Sequence, residues 1–195
     1  MVSKVDLKRE LACYRARRDS PQDVVVPDLR YLMVDGRGDP NTPAFAAATA
    51  ALYPIAYRLK SASRDQLGRD HVVMPLEGLW WADDHGVFTD ARDRTRWSWT
   101  LMILVPDHVP AELVTAAIDR DDVRLETLRE DRCVQALHVG PYDAEGPLIA
   151  RLHEHARDRG LELTGRHHEI YLGDARRARP DRLRTILRQP VREPA

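Results

Sequence analysis

Glu77-Gly78-Leu79-Trp80-Trp81-Ala82-Asp83 returns in altered form as Glu169-Ile170-Tyr171-Leu172-Gly173-Asp174. Both stretches read as strands, and each is followed by a second apolar run that ends at a proline, Pro106 or Pro190. A segment that recurs with its neighbours in the same order points to duplication.

Upstream of the first copy, residues 29–34 form a short apolar strand candidate. The run Asp35-Gly36-Arg37-Gly38-Asp39-Pro40-Asn41 closes it as a sharp turn, and Asn41 or Thr42 stands where a helix cap belongs. Over residues 43–60, Phe45, Ala48, Leu52, Ile55 and Leu59 fall at helical spacing, with Pro54 inside the stripe predicted to kink it. Residues 72–81 and 97–105 then read as strands. They are joined by the polar turn Asp83-Asp84-His85-Gly86 and a charged hairpin tip over residues 90–96.

After a helix candidate at 110–118 and a charged connector, the order returns. Residues 134–139 are a strand closed by Gly140-Pro141, residues 144–159 a helix stopped by Gly160, and residues 166–172 and 183–191 two further strands. The expected fold class is α+β: duplicated strand-helix-strand-strand modules whose antiparallel sheets leave a pseudo-twofold cleft, the usual place for a ligand. The expected division is an amphipathic N-terminal extension, 1–24, and one domain, 25–195, with halves at about 25–106 and 132–191. Pattern alone leaves open a single α+β sandwich without a true repeat.

Composition narrows the function classes. Hydrophobic residues make up 43% and charged residues 31% of 195, which is ordinary globular usage. Thirty Lys and Arg balance 31 Asp and Glu, so no broad basic field exists to track nucleic acid. The most basic stretch, 176–188, is interrupted by Asp181, lacks aromatic residues for base stacking, and reads as a solvated surface. Cys13 and Cys133 lie far apart without metal-ligand spacing, so neither a disulfide framework nor a zinc site is expected. No apolar run suits a signal peptide or membrane span, and the expected location is the cytoplasm.

Period two puts His167, Glu169 and Tyr171 on one strand face, with His168, Ile170 and Leu172 on the other. A carboxylate and a phenol therefore stand side by side, although a solvent-facing Glu169 fits the same pattern. Glu77 takes the matching place in the first half, and two carboxylates in one cleft often divide into acid and base. All four tryptophans, Trp80, Trp81, Trp97 and Trp99, fall on two neighbouring strand candidates and suit either a core or a pocket for flat or cationic molecules. Sharper motifs fail. His153-Glu154-His155 lacks the second histidine of HExxH, and Asn41 stands where the third glycine of a dinucleotide fingerprint belongs.

The turn 35–41, Leu52-Tyr53 and Ala56-Tyr57 before Lys60, the Glu77–Trp81 and Trp97–Met102 stretches, and His167-His168-Glu169-Ile170-Tyr171-Leu172 resemble the GyrI-like small-molecule-binding family over nearly the whole chain. The likeness is to its stand-alone bacterial branch, without the DNA-binding helix-turn-helix that precedes related effector domains. It implies a cleft for amphipathic, often cationic, aromatic compounds around a glutamate, which motif matching places at Glu169. It also implies an activity, the hydrolytic opening of strained cyclopropanes in DNA-alkylating natural products. Glu169 would then orient or deprotonate a water, and Tyr171 would hydrogen-bond it or the substrate. Glu77, Trp81, Trp97, Trp99 and Tyr142 are the expected ligand contacts. No metal or cofactor is expected, and the expected partner is a small molecule rather than nucleic acid or membrane. A binding or sequestering module without chemistry is the competing reading.

Overall fold

The computed structural model describes residues 4–82, 93–173 and 178–194. The expected turn 83–86, residues 90–92 of the expected hairpin tip, and Asp174, Arg176 and Arg177 lie outside these. The chain forms two compact units, one of Met1–Glu10 with Leu29–Leu128 and one of Leu11–Asp28 with Arg129–Ala195.

The first unit holds the short helix α1 (Leu7–Glu10), followed after the second unit's β1 (Gln22–Val26) by β2 (Leu29–Arg37), α2 (Pro43–Leu67), β3 (Leu76–Trp81), β4 (Ser98–Leu104), α3 (Ala111–Ala117) and β5 (Arg124–Leu128). Its strands pair antiparallel in the order β3-β4-β2-β5. The second unit has β1, β6 (Asp131–Val139), α4 (Gly146–Asp158), the two-residue β7 (Glu162–Leu163), β8 (His167–Tyr171) and β9 (Arg184–Arg192). Its antiparallel order is β8-β9-β6-β1, with β7 on β9.

The two units repeat one plan. A strand, a helix and two strands (β2-α2-β3-β4, then β6-α4-β8-β9) place the last strand beside the first in each case, and a further strand guards the outer edge of the first. The α+β class and the duplicated order are those the sequence predicts. Strand β1 lies astride the boundary expected at residue 24, and β5 occupies the charged connector.

Both main helices form for the expected reason. On α2, Ala48, Leu52, Ile55 and Leu59 are buried, and the helix runs unbroken through exposed Pro54 to Gly68, whose φ of 64° ends it in the left-handed region. On α4, Leu148, Leu152 and Ala156 recur every fourth residue and pack on Val134, Ala136, Leu187 and Val191. Each such leucine contributes about 1.5–3 kcal/mol over an exposed one. Gly160 closes α4 with φ 69°, letting the Leu161 amide reach the Ala156 carbonyl at 2.9 Å.

Two expectations need correction. Gly36 is not part of a turn: β2 continues to Arg37, and Gly36 lies opposite Trp99, whose ring fills the place of its missing side chain. A Cβ there would stand 1.9 Å from the indole. Arg188, at the end of the supposedly solvated basic stretch, is wholly buried. Cys13 and Cys133 are buried and not joined in a disulfide, and burial pushes the Cys133 thiol up. No helix of the described residues is long and apolar enough to cross a membrane.

Candidate functional site

Register decides which side chains meet. In the second unit, Tyr171 lies opposite Thr185, Glu169 opposite Leu187, and His138 of β6 on the other side of Thr185. Glu169, Tyr171, Thr185, Leu187, Ala136 and His138 therefore share one face. Helix α4 covers the Leu187 and Ala136 end of that face through Leu148, Leu152 and Ala156. The start of the helix reaches the polar end, where Glu145 immediately precedes its first residue.

At that end the Tyr171 hydroxyl donates to Glu169 Oε2 at 2.7 Å. His167 Nε2 is 3.6 Å from Glu169 Oε1, too long for a hydrogen bond, and neither ring nitrogen of His167 has a hydrogen-bond partner. The Glu169 side chain retains 15% exposure, so it is sheltered and still reachable. Tyr142, on the turn Tyr142–Ala144 before α4, meets the Tyr171 ring edge-on with centroids 5.6 Å apart. The expected pairing of Glu169 with Tyr171 is thus present, with the expected ligand contact Tyr142 beside it.

The sequence reading missed Glu145, which is only 4% exposed and whose Oε1 has no hydrogen-bond partner. Burial, and then the negative charge of Glu169, hold its carboxyl well above the usual range. The nearby Thr185 hydroxyl draws it partly back. It does so without an aligned bond, since Thr185 Oγ1 is itself buried and unpartnered. A carboxyl that keeps its proton beside one that accepts from a tyrosine is an acid and a base in one corner.

Glu77, expected as the partner of Glu169, is differently placed. On β3, Glu77, Leu79 and Trp81 share a face with Thr100 and Met102, whereas Trp80 shares the opposite face with Trp99. Helix α2 covers the Trp80 face, because Phe45 stacks on Trp80 at 5.9 Å and meets Trp99 edge-on at 5.2 Å. Glu77 therefore points away from its unit's helix and Glu169 toward its own, so the motif echo does not carry the two carboxylates to equivalent positions. Glu77 is wholly buried.

The tryptophans divide. Trp99 is 2% exposed, pressed on Gly36, with its Nε1 donating to the Gly38 carbonyl at 3.2 Å. It is a core residue with no face to offer a ligand. Trp97 and Trp81 are half-buried, and Trp97 meets Trp80 edge-on at 5.8 Å with Arg94 over its ring.

The other face of the second unit's sheet carries a buried ion cluster. Arg188 donates to Glu130 Oε2 at 3.0 Å, to Gln135 Oε1 at 3.1 Å and to the Cys13 carbonyl at 2.7 Å. His168 Nδ1 lies 3.0 Å from both Glu130 oxygens. Burial alone would raise the Glu130 carboxyl, but the His168 and Arg188 charges and hydrogen bonds outweigh it and hold it at about 2. This cluster fixes β8 from behind, so its neighbour Glu169 faces forward.

Comparison with known proteins agrees with this architecture. An uncharacterized conserved protein of Listeria innocua is 38% identical over 97% of this chain and 100% of its own, with a TM-score of 0.88. A hydrolase of Listeria innocua is 35% identical over the same shares, with a TM-score of 0.85. The C-terminal domain of EcmrR, 13% identical over 90% of this chain and 98% of its own, shares the fold at a TM-score of 0.59. No curated protein matches the chain. The family model for the GyrI-like small molecule binding domain matches residues 21–192, and the chain belongs to that family.

Proposed function

We propose that the corner formed by Glu169, Tyr171 and Tyr142 is the floor of the small-molecule site, and that the protein adds water to a strained cyclopropane in an amphipathic aromatic compound. The observation that carries the proposal is the 2.7 Å bond from the Tyr171 hydroxyl to Glu169 Oε2. It orients a sheltered carboxylate and leaves its other oxygen to take a proton from water. The edge-on tyrosines offer ring surface to a flat ligand. Ring strain supplies much of the driving force, so positioning a water against the electrophilic carbon is the protein's main task. Family membership supports small-molecule binding, and the similarity to a hydrolase of Listeria innocua supports hydrolysis.

The test is incubation of the protein with a cyclopropane-bearing DNA alkylator, followed by mass spectrometry. Catalytic formation of the water adduct is the expected result. Tight binding with the cyclopropane intact after hours would contradict hydrolysis and leave a binding or sequestering protein. In that case Glu169 would serve to neutralise cationic aromatic ligands.

A further inference from the structure

We propose that Glu145 is the proton donor of this site, delivering a proton to the substrate oxygen that receives the electron pair of the breaking ring bond while Glu169 takes one from water. This rests on the hydrolytic reading above and assigns a catalytic residue to it. Glu145 stands at the start of α4, almost fully buried, with Oε1 unpartnered, above the same sheet face as Glu169 and Tyr171. Beside it the fully buried Thr185 hydroxyl, directly opposite Tyr171 in register, is also without a partner. Buried polar atoms are rarely left so, and these two, close together over one sheet face, are placed to meet a polar atom of a ligand.

The groups that bear on Glu145 decide its proton. From β8 come Glu169, Tyr171 and His167, from the preceding turn Asp143 and Tyr142, and from β6 His138, whose Nε2 is engaged with the Pro141 carbonyl at 3.2 Å. Burial leads, and the negative charges of Glu169 and Asp143 act in the same direction, so Glu145 is an un-ionised acid at neutral pH.

The chemistry balances for a cyclopropane conjugated to a carbonyl. Water oxygen bonds to the ring methylene, the ring C–C bond breaks, and its electron pair passes through the conjugated system to the carbonyl oxygen. Glu145 protonates that oxygen as Glu169 accepts the water proton. The net change is addition of one water, with nothing oxidised or reduced. Transfer of the proton from Glu169 back to its neighbour Glu145 restores the site.

The experiment compares wild type, Glu145→Gln and Glu145→Asp on two probes, a spiro-cyclopropyl cyclohexadienone and its ring-chlorinated analogue, whose opened phenol is more acidic. Glu145→Gln should lower kcat about a hundredfold or more on the first probe and far less on the second, because a better leaving oxygen needs less protonation. It should also abolish the alkaline limb of the pH–rate profile, and Glu145→Asp should restore part of the rate. Equal losses on both probes, or an alkaline limb intact in Glu145→Gln, would overturn the assignment while leaving hydrolysis standing. Failure of wild type to open either probe would overturn hydrolysis and the donor together.

Discussion

The starts of the two main helices occupy the same place in the repeated plan and are built for opposite purposes. Under the start of α2, Phe45, Trp80, Trp97 and Trp99 interlock, and the indole N–H of Trp99 is satisfied by the Gly38 carbonyl. Under the start of α4, Tyr171 bonds Glu169 and meets Tyr142 edge-on, while Glu145 and Thr185 are buried with polar atoms unpaired. One end is optimised as a core. The other keeps groups whose burial lowers stability and whose retention makes sense as chemistry. Duplication thus supplied two equivalent corners, one of which carries the packing and the other the candidate reaction.

If the comparison holds, substitutions at the two corners should separate activity from stability. Glu169→Gln should reduce hydrolysis about a hundred- to ten-thousandfold with little change in Tm, because shape is kept and the base is lost. Trp99→Ala should instead cost about 3–5 kcal/mol in denaturant unfolding through the cavity it leaves. A Glu169→Gln protein that unfolds readily with normal activity per folded molecule would break the comparison.

The ion cluster behind β8 sharpens it, since support for the reactive corner comes from the opposite face. Arg188→Leu removes the guanidinium partner of buried Glu130, leaving only His168 beside it, and should cost about 3–5 kcal/mol by urea unfolding. The same cluster predicts an acid limb. Glu130 is held at about 2 in the folded chain against 4.5 when free, so its contribution is fully present above the unfolded value. That contribution is lost as pH falls from about 4.5 toward 2. Stability measured over this window should drop by a few kcal/mol in wild type, and the drop should shrink in Glu130→Gln.

A smaller effect is expected at Gly36. Gly36→Ala forces its methyl into the Trp99 ring and should cost about 1–3 kcal/mol by thermal unfolding while leaving kcat of the folded protein unchanged. A neutral substitution would mean that the first corner is looser than the geometry requires.

The sequence was legible where periodicity governs. Alternation placed Glu169 beside Tyr171, and the helical stripes of α2 and α4 follow from Leu52, Ile55, Leu148 and Leu152. It was illegible where partners come from distant register. Glu145 leads the buried stripe of α4, three residues before Leu148, where a charged residue at a helix start reads as solvent-facing, and only its burial beside Thr185 reveals it. Trp99 could be assigned to the core only once Gly36 was known to lie opposite. Strand β5 hid because it is an edge, where Arg124 and Glu126 pair with each other instead of showing an apolar face. Arg188 looked like its exposed neighbours, since nothing local announces Glu130 and Gln135 as its partners.

The most direct test of the carboxyl pair needs no substrate: a pH titration of the protein with carbon-13-labelled glutamate side chains, followed by NMR. Glu145 should keep its proton through neutral pH and titrate only on the alkaline side, and Glu169→Gln should move its midpoint down by removing the neighbouring charge. A Glu145 resonance that titrates in the ordinary carboxyl range, indifferent to Glu169→Gln, would contradict the account.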